Sequence, residues 1–246
     1  MLVEFTGCSG SGKTTISEEV IQRLSDAGFE IITVHPKRFF GGIIKKRITN
    51  ETIQNVIMDL IAIPMIVLTL KKHHKLLFFC AKNLIRDADS RFAATNCLRS
   101  ITRKIGIYEF LRGRRFVDKV VIVDEGVVHS AHNLFVHVNS SPNLKDIHEY
   151  SLLIPLPDIL VYVHSPKEIL LKRTLTRRDP SRRIRDPNVT NFINHGYSLF
   201  EILISLDRIA RRVVRVDYSK NSTDLAETLA GRITNHIMDG MDPKIK

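Results

Sequence analysis

Apolar positions along the chain switch between two periods. Short runs recur at Leu2–Thr6, Glu30–Val34, Val120–Asp124, Asp158–Val163 and Arg212–Val216. Each is strand-sized, and the third is a continuous apolar run of the kind that a parallel strand buries on both faces. Between them lie stripes at helical spacing. Ile16, Val20, Ile21 and Leu24 form the first, ending near Gly28, and Leu225, Leu229, Ile233 and Ile237 form the last. Strands alternating with helices predict an α/β domain. Further helices are expected after Ser141-Pro142, after Ser165-Pro166-Lys167-Glu168 and from Asn188 to Ala210. The first two starts read as a cap followed by proline, and Glu168 adds a capping box.

Residues 50–115 depart from this rhythm. Ile53–Leu70 is strongly apolar but is interrupted by Asp59 and Pro64. Its unbroken part is shorter than the ~20 residues that a membrane span needs. Lys71-Lys72-His73-His74-Lys75 then separates it from Leu76-Leu77-Phe78-Phe79. A buried helical hairpin is the expectation, with an interfacial patch for a lipid-linked substrate as the alternative. Arg99, Arg103, Arg112, Arg114 and Arg115 add positive charge beyond it.

The chemistry is concentrated just after the first strand. Gly7-Cys8-Ser9-Gly10-Ser11-Gly12-Lys13-Thr14 matches the phosphate-binding loop pattern at every fixed position, and Thr15 follows. Glycines let the backbone take positive φ and approach a ligand closely. The loop N–H groups then converge on phosphate oxygens at the positive end of a helix. Lys13 is placed to reach the β- and γ-phosphates of ATP, and the Thr14 hydroxyl to hold Mg²⁺. Cys8 lies where a helix N-terminus can make a thiol more acidic, although a tolerated loop residue is the simpler reading.

Asp124 closes the third strand, where such an acid lies beside the loop and serves Mg²⁺. Glu125 follows it. It is read as a contact to the acceptor or a proton acceptor in a kinase, or as the group that polarises water in an ATPase. His129 and His132 share a helical face and read as ordinary polar surface histidines, with contact to an acceptor as the alternative. Far downstream, six arginines lie between Arg173 and Arg185. Arginines in such a cluster suit phosphate, because a guanidinium fork fits its oxygens. The segment 176–187, with Asp179-Pro180 and Asp186-Pro187, reads as a lid. Lys37–Arg47 is a basic loop after the second strand, where an anionic group of an acceptor could sit.

Composition narrows the classes. The 246 residues, 43% of them hydrophobic, suit one domain over residues 1–240, with 48–115 as a helical insertion on the acceptor side. The three cysteines show no paired spacing, which fits a reducing compartment and argues against zinc. A strand at the start leaves no signal peptide, so a cytoplasmic protein is expected. The net charge of +11 favours anionic partners. The basic stretches lack interleaved aromatics to stack bases, so nucleic acid is not the expected ligand.

In four places the chain resembles the thymidylate kinase-like branch of P-loop nucleoside and nucleotide kinases. These are GCSGSGKTT after the first strand, VVIVDEG at the third, SPKEILLKRTLTRR running into the lid, and RVDYSKNSTDLAETLAGRI at the end. The resemblance implies a three-layer P-loop sandwich with a five-stranded parallel sheet of order 2-3-1-4-5. It also implies ATP, Mg²⁺ and a closing lid, with Arg173, Arg177 and Arg178 as its candidate arginines; the expected acceptor is an anionic or hydroxyl-bearing small molecule. Peripheral membrane contact and a homodimer are both compatible with it. The chain departs where thymidylate kinases carry Asp-Arg, which here is Asp124-Glu125. It departs again where they carry an Arg-Glu-Pro-like stretch, which here is His35-Pro36-Lys37-Arg38. A nucleotide, a sugar and a lipid-linked glycan all remain open as acceptors. A regulatory or mechanical ATPase and a nucleic-acid end kinase are the competing functions.

Overall fold

The computed structural model describes residues 1–34, 51–88, 90–136, 142–176, 188–219 and 223–240. The basic loop Lys37–Arg47, the expected lid beyond Thr176 with Arg177 and Arg178, and the last residues of the C-terminal tail lie outside them. Five strands form the sheet: β1 (Leu2–Thr6), β2 (Ile31–Val34), β3 (Val120–Asp124), β4 (Ile159–His164) and β5 (Val213–Asp217). Their order is β2-β3-β1-β4-β5 and every pairing is parallel. Parallel strands need a crossover between them, and here helices supply it.

One face of the sheet is covered by α1 (Lys13–Asp26) and α9 (Thr223–Asp239). Val3 and Phe5 of β1 pack there against Ile16, Val20 and Leu24 of α1 and Leu229, Ile233 and Ile237 of α9. Burying each such side chain stabilises by roughly 1.5–3 kcal/mol. The opposite face carries α2 (Glu51–Asp87), α3 (Arg91–Leu111), α4 (Ser130–Phe135), α5 (Leu144–Leu153) and α7 (Val189–Ser205). Two short helices remain: α6 (Lys167–Leu175) follows β4, and α8 (Asp207–Ala210) precedes β5.

Several expected boundaries move. Lys71–Lys75 does not end a helix; α2 runs through it and through Pro64. Lysine and histidine are compatible with helix, so charge alone does not stop one. The first part of α2 follows α3 in the same direction, with Arg103 near Asp59 and Gly106 against Ala62. Its later part runs the other way, with His73 on Glu109 and Leu84 sharing a cavity with Cys97. Thus α2 wraps α3. The hairpin is also buried on one side only: Leu60, Val67, Phe78 and Ile85 of α2 are exposed. No helix among the described residues is long and apolar enough to cross a membrane. The helix expected over 188–210 breaks at Leu206, whose extended backbone separates α7 from α8. The helix expected at Ser141-Pro142 starts at Leu144, capped by the Asn143 side chain on the Lys145 N–H.

The crossing of α2 and α3 is tight. A Cβ on Gly106 would lie 2.4 Å from the Ala62 carbonyl oxygen and 2.8 Å from its Cα. Both are backbone atoms and cannot rotate away. In a free helix, Gly→Ala gains about 1 kcal/mol. Here overpacking should outweigh it, and Gly106→Ala is expected to lose about 1–3 kcal/mol of stability. A urea midpoint equal to or above that of the wild type would contradict the close crossing.

Candidate active site

The loop after β1 is shaped by its glycines and held from outside. Gly7, Gly10 and Gly12 take φ of 143°, 84° and 94°. Gly12 is the N-cap of α1, and no side chain caps that helix. Its first N–H groups are therefore left to a ligand of the loop. The clamp comes from α6 and from the end of β5. Thr174 Oγ1 donates to Ser9 O at 3.5 Å, and Ser165 Oγ to Ser11 O at 3.3 Å. Arg173 donates to Gly10 O at 3.2 Å and lies over the Tyr218 ring, 4.8 Å from its centroid. That ring packs on Gly12 so closely that a Cβ there would lie 2.4 Å from it. Arg173 thus braces the loop from α6. Ser165, expected as a helix cap, bonds the loop instead, and Pro166 holds the N-cap position.

Lys13 turns back across the loop. Its ammonium donates to Gly7 O at 3.0 Å and Cys8 O at 3.1 Å, and lies 3.6 Å from the Glu125 carboxylate. Thr14 and Thr15 are exposed on the first turn of α1. Burial pushes the Cys8 thiol up to about 12, so it is not an acidic, reactive cysteine.

The end of β3 lies beside this loop because β1 and β3 are neighbours, with Asp124 opposite Phe5. Asp124 and Thr14 line one cavity of about 310 Å³. Glu125 takes φ 59°, which is rare for a residue with a side chain and costs energy. Its N–H donates to Phe5 O at 3.2 Å, tying the strained turn to β1. Its carboxyl lies well below the usual carboxylate range, beside His129, Lys13, Lys104 and His132. Burial keeps His129 itself neutral near neutral pH, so the standing positive charges are those of Lys13 and Lys104.

Other residues join the site that their types alone did not reveal. Glu4 on β1 is fully buried. It accepts from the Val128 and His129 N–H groups at 3.2 and 2.8 Å and from the Tyr108 hydroxyl. Arg103, Lys104 and Tyr108 of α3 line a small cavity of about 80 Å³ with Met58, Asp124 and Glu125. Of the arginines read between 99 and 115, Arg103 is therefore the one that lines this cavity. Only the crossing of α3 over the end of β3 brings these residues there.

A solved thymidylate kinase from Ehrlichia chaffeensis aligns over 97% of this chain and 98% of its own, with a TM-score of 0.52 and 14% identity. This is the thymidylate kinase-like P-loop kinase fold. At that identity the likeness is one of fold. No family model matches the sequence, and no curated protein matches it.

Within the thymidylate kinase-like fold, the residues of this loop fit a nucleotide with its metal. Ser11 Oγ and Arg173 Nη2 are buried without a hydrogen-bond partner among the described residues, and both can donate to phosphate. Mg²⁺ keeps several waters and needs only one or two protein ligands beside the phosphates. Thr14 and Asp124 meet that need. No cluster of three or more metal-ligating side chains occurs among the described residues.

His129 and His132 are not surface histidines but buried core rings, because α4 packs under α7. They stack on each other, His132 also stacks on Phe200, to which His129 is tilted, and Phe192 packs edge-on against His132. His129 Nδ1 lies 3.3 Å from Thr6 Oγ1. Burial lowers His132 to about 4 and His129 well below its ordinary value. An unfolded histidine gains its proton near 6.5, whereas these native rings stay neutral. Stability is therefore full above that pH and falls as pH drops toward 4. His132 alone should account for about 3 kcal/mol of the loss. Urea unfolding at pH 7 and pH 4 measures it, and His132→Phe should reduce the dependence by that share while His129 keeps its own. A profile that is flat in the wild type, or unchanged in the variant, would refute the assignment.

Proposed function

We propose that the protein is an ATP- and Mg²⁺-dependent phosphotransferase. It moves the γ-phosphoryl to a hydroxyl or phosphate oxygen of an acceptor held between the end of β3 and α3. The observation that carries this is the convergence of Lys13, Asp124 and Glu125 at the adjoining ends of β1 and β3, beside a small cavity that Arg103 and Lys104 line together with those two carboxylates. In the in-line step an acceptor oxygen forms a bond to the γ-phosphorus as the bridging oxygen leaves with ADP. Thr14 and Asp124 would hold Mg²⁺, and the ion would supply neutralisation of the phosphate charge. Lys13 leaves its loop carbonyls for the β- and γ-phosphates and stabilises the charge that moves between them.

Glu125 aims an ionised oxygen toward the acceptor side. Its carboxylate would accept a hydrogen bond from the acceptor and orient it, and would take the proton of a hydroxyl acceptor as the new bond to phosphorus forms. Arg103 and Lys104 would meet an anionic group on that acceptor. A nucleotide, a sugar phosphate and a lipid-linked glycan all supply such a group. The departure at Asp124-Glu125 falls on this side, so thymidylate is not singled out.

The competing reading is an ATPase in which Glu125 polarises water, and the position of Glu125 beside Lys13 favours it as second choice. An acceptor screen with γ-labelled ATP separates the two. Label carried to a nucleotide, sugar or lipid acceptor supports the kinase. Free phosphate released equally with and without every acceptor would replace it with the ATPase.

A further inference from the structure

A second cationic site lies at the edge of the sheet opposite the loop. It occupies the level where β4 and β5 begin, whereas the phosphate loop follows the end of β1. A cavity of about 270 Å³ there is lined by Lys72 and His73 of α2, by Arg112 after α3, by Arg208 of α8 and by Arg212 just before β5. Three guanidiniums approach the segment 151–157 that completes the lining. Arg208 donates to the Ser151 and Ile154 carbonyls, Arg112 to Leu156 O and Arg212 to Pro157 O.

These bonds use only part of each arginine. A guanidinium has five N–H donors, and the bonds to carbonyl oxygens take one or two. They also bring no compensating charge. The carboxylate bonded to this lining, among the described residues, is Glu109. It holds His73 at 3.0 Å, Lys72 at 2.9 Å and Arg112 at 3.5 Å. Lys72, Arg112, Arg208 and Arg212 thus face a single carboxylate, so these five side chains carry an excess of about three positive charges. The crowding is felt within the cluster. Burial pushes the Arg208 guanidinium below the usual arginine range, and the charges of Arg212 and Arg112 push it further.

Lys72, Arg208 and Arg212 are exposed and Arg112 is half-buried, so water screens part of their mutual repulsion, and an anion seated among them would offset the rest. We propose that this cavity is a binding site for a phosphate group, separate from the loop that follows β1. The excess charge calls for at least a dianion, which a phosphate monoester or diphosphate is and a simple carboxylate is not. Several guanidinium forks around one point suit a tetrahedral group with many acceptor oxygens. The chemistry is shared by a soluble phosphorylated ligand and by a phosphate lipid headgroup. Arg112 directly follows α3, and Arg103 and Lys104 lie on the same helix. An anion held here would therefore bear on the element that lines the cavity beside Glu125.

The test uses the full chain with Lys13→Ala as background, so that the loop's own grip on phosphate is weakened. Pyrophosphate titrated by calorimetry should still bind at one site. Lys72→Gln with Arg212→Gln should weaken it by about tenfold or more. ATP binding to the protein with Lys13 intact should not change in that pair. Lys72 is exposed, so Lys72→Gln alone gives a reading if the pair folds poorly, and Arg212→Lys should restore part of the affinity. Vesicles of phosphatidic acid, set against phosphatidylcholine, distinguish the sources. Sedimentation with the first only, lost in the substituted protein, assigns the phosphate to a lipid. Calorimetric binding without sedimentation assigns it to a soluble ligand. If neither occurs, or if both survive the substitutions, the site does not exist.

Discussion

Lys13→Ala is expected to lower phosphoryl transfer from ATP by about a thousandfold or more, while the protein stays folded. The magnitude follows from the kind of interaction removed. Lys13 is 7% exposed, so its charge acts in a site largely shielded from water. Deleting one preorganised donor of that kind from a transition state typically costs 10²–10³ in rate, and a full charge on a transferring phosphoryl group costs more. The fold should survive because Lys13 holds little beyond the loop itself. Its partners are the Gly7 and Cys8 carbonyls and a Glu125 carboxylate that is 42% exposed and can turn to water. The loop keeps its clamp from Arg173, Thr174, Ser165 and the Tyr218 ring. Label transfer should be read beside circular dichroism and a urea curve. A folded variant that transfers phosphate at the wild-type rate would remove Lys13 from the mechanism and take the proposed chemistry with it.

What the sequence made legible, and what it hid, divides along physical lines. The phosphate loop could be read because its demands are local. Its turns need positive φ, and glycine is the residue that takes it freely, so the requirement is written in consecutive letters. Asp124 could be read because a parallel sheet fixes its neighbour by register, and the strand order places β3 against β1. Tyr218 and Ser165 could not. Tyr218 meets Gly12 from across the whole chain, and the clue near Ser165 spelled a helix cap. Charge misled at Lys71–Lys75, where helix tolerance outweighed a polar interruption in an apolar stretch. Lys104 and Tyr108 sit in an ordinary helical sequence. Their place beside Asp124 comes from the close crossing at Gly106 and Ala62, which no periodicity announces. Glu4 was hidden by alternation itself. A polar residue between Val3 and Phe5 reads as facing water, yet all five residues of β1 are buried.

That burial makes Glu4 the second position of large expected effect. Its carboxylate accepts from the Val128 and His129 N–H groups and from the Tyr108 hydroxyl, all of them buried. Burial pushes the carboxyl above the ordinary glutamate range, and these three donors act against that shift. Glu4→Ala would leave two N–H groups and a hydroxyl without an acceptor and open a void between β1 and α3. Each unpaired group costs about 1–3 kcal/mol, so a loss of about 3–5 kcal/mol is expected, comparable to breaking a buried ion pair. Glu4→Gln keeps one carbonyl acceptor and nearly the same volume, so it should lose less. The loss in Glu4→Gln alone, at nearly constant volume, measures the carboxylate's acceptor role with size set aside, and the further loss in Glu4→Ala adds the void and the last acceptor. The turn that follows is tight as well: a Cβ on Gly126 would lie 2.7 Å from the Glu4 carboxyl and from the Tyr108 hydroxyl oxygen. Glu4 therefore holds in place the turn that keeps Glu125 at positive φ, and its loss should reduce phosphoryl transfer in whatever fraction still folds. Urea unfolding of both variants decides the matter. If Glu4→Ala lies within about 1 kcal/mol of the wild type, these contacts carry no net stability. The strained conformation of Glu125 would then have to be held by β3 and Phe5 alone.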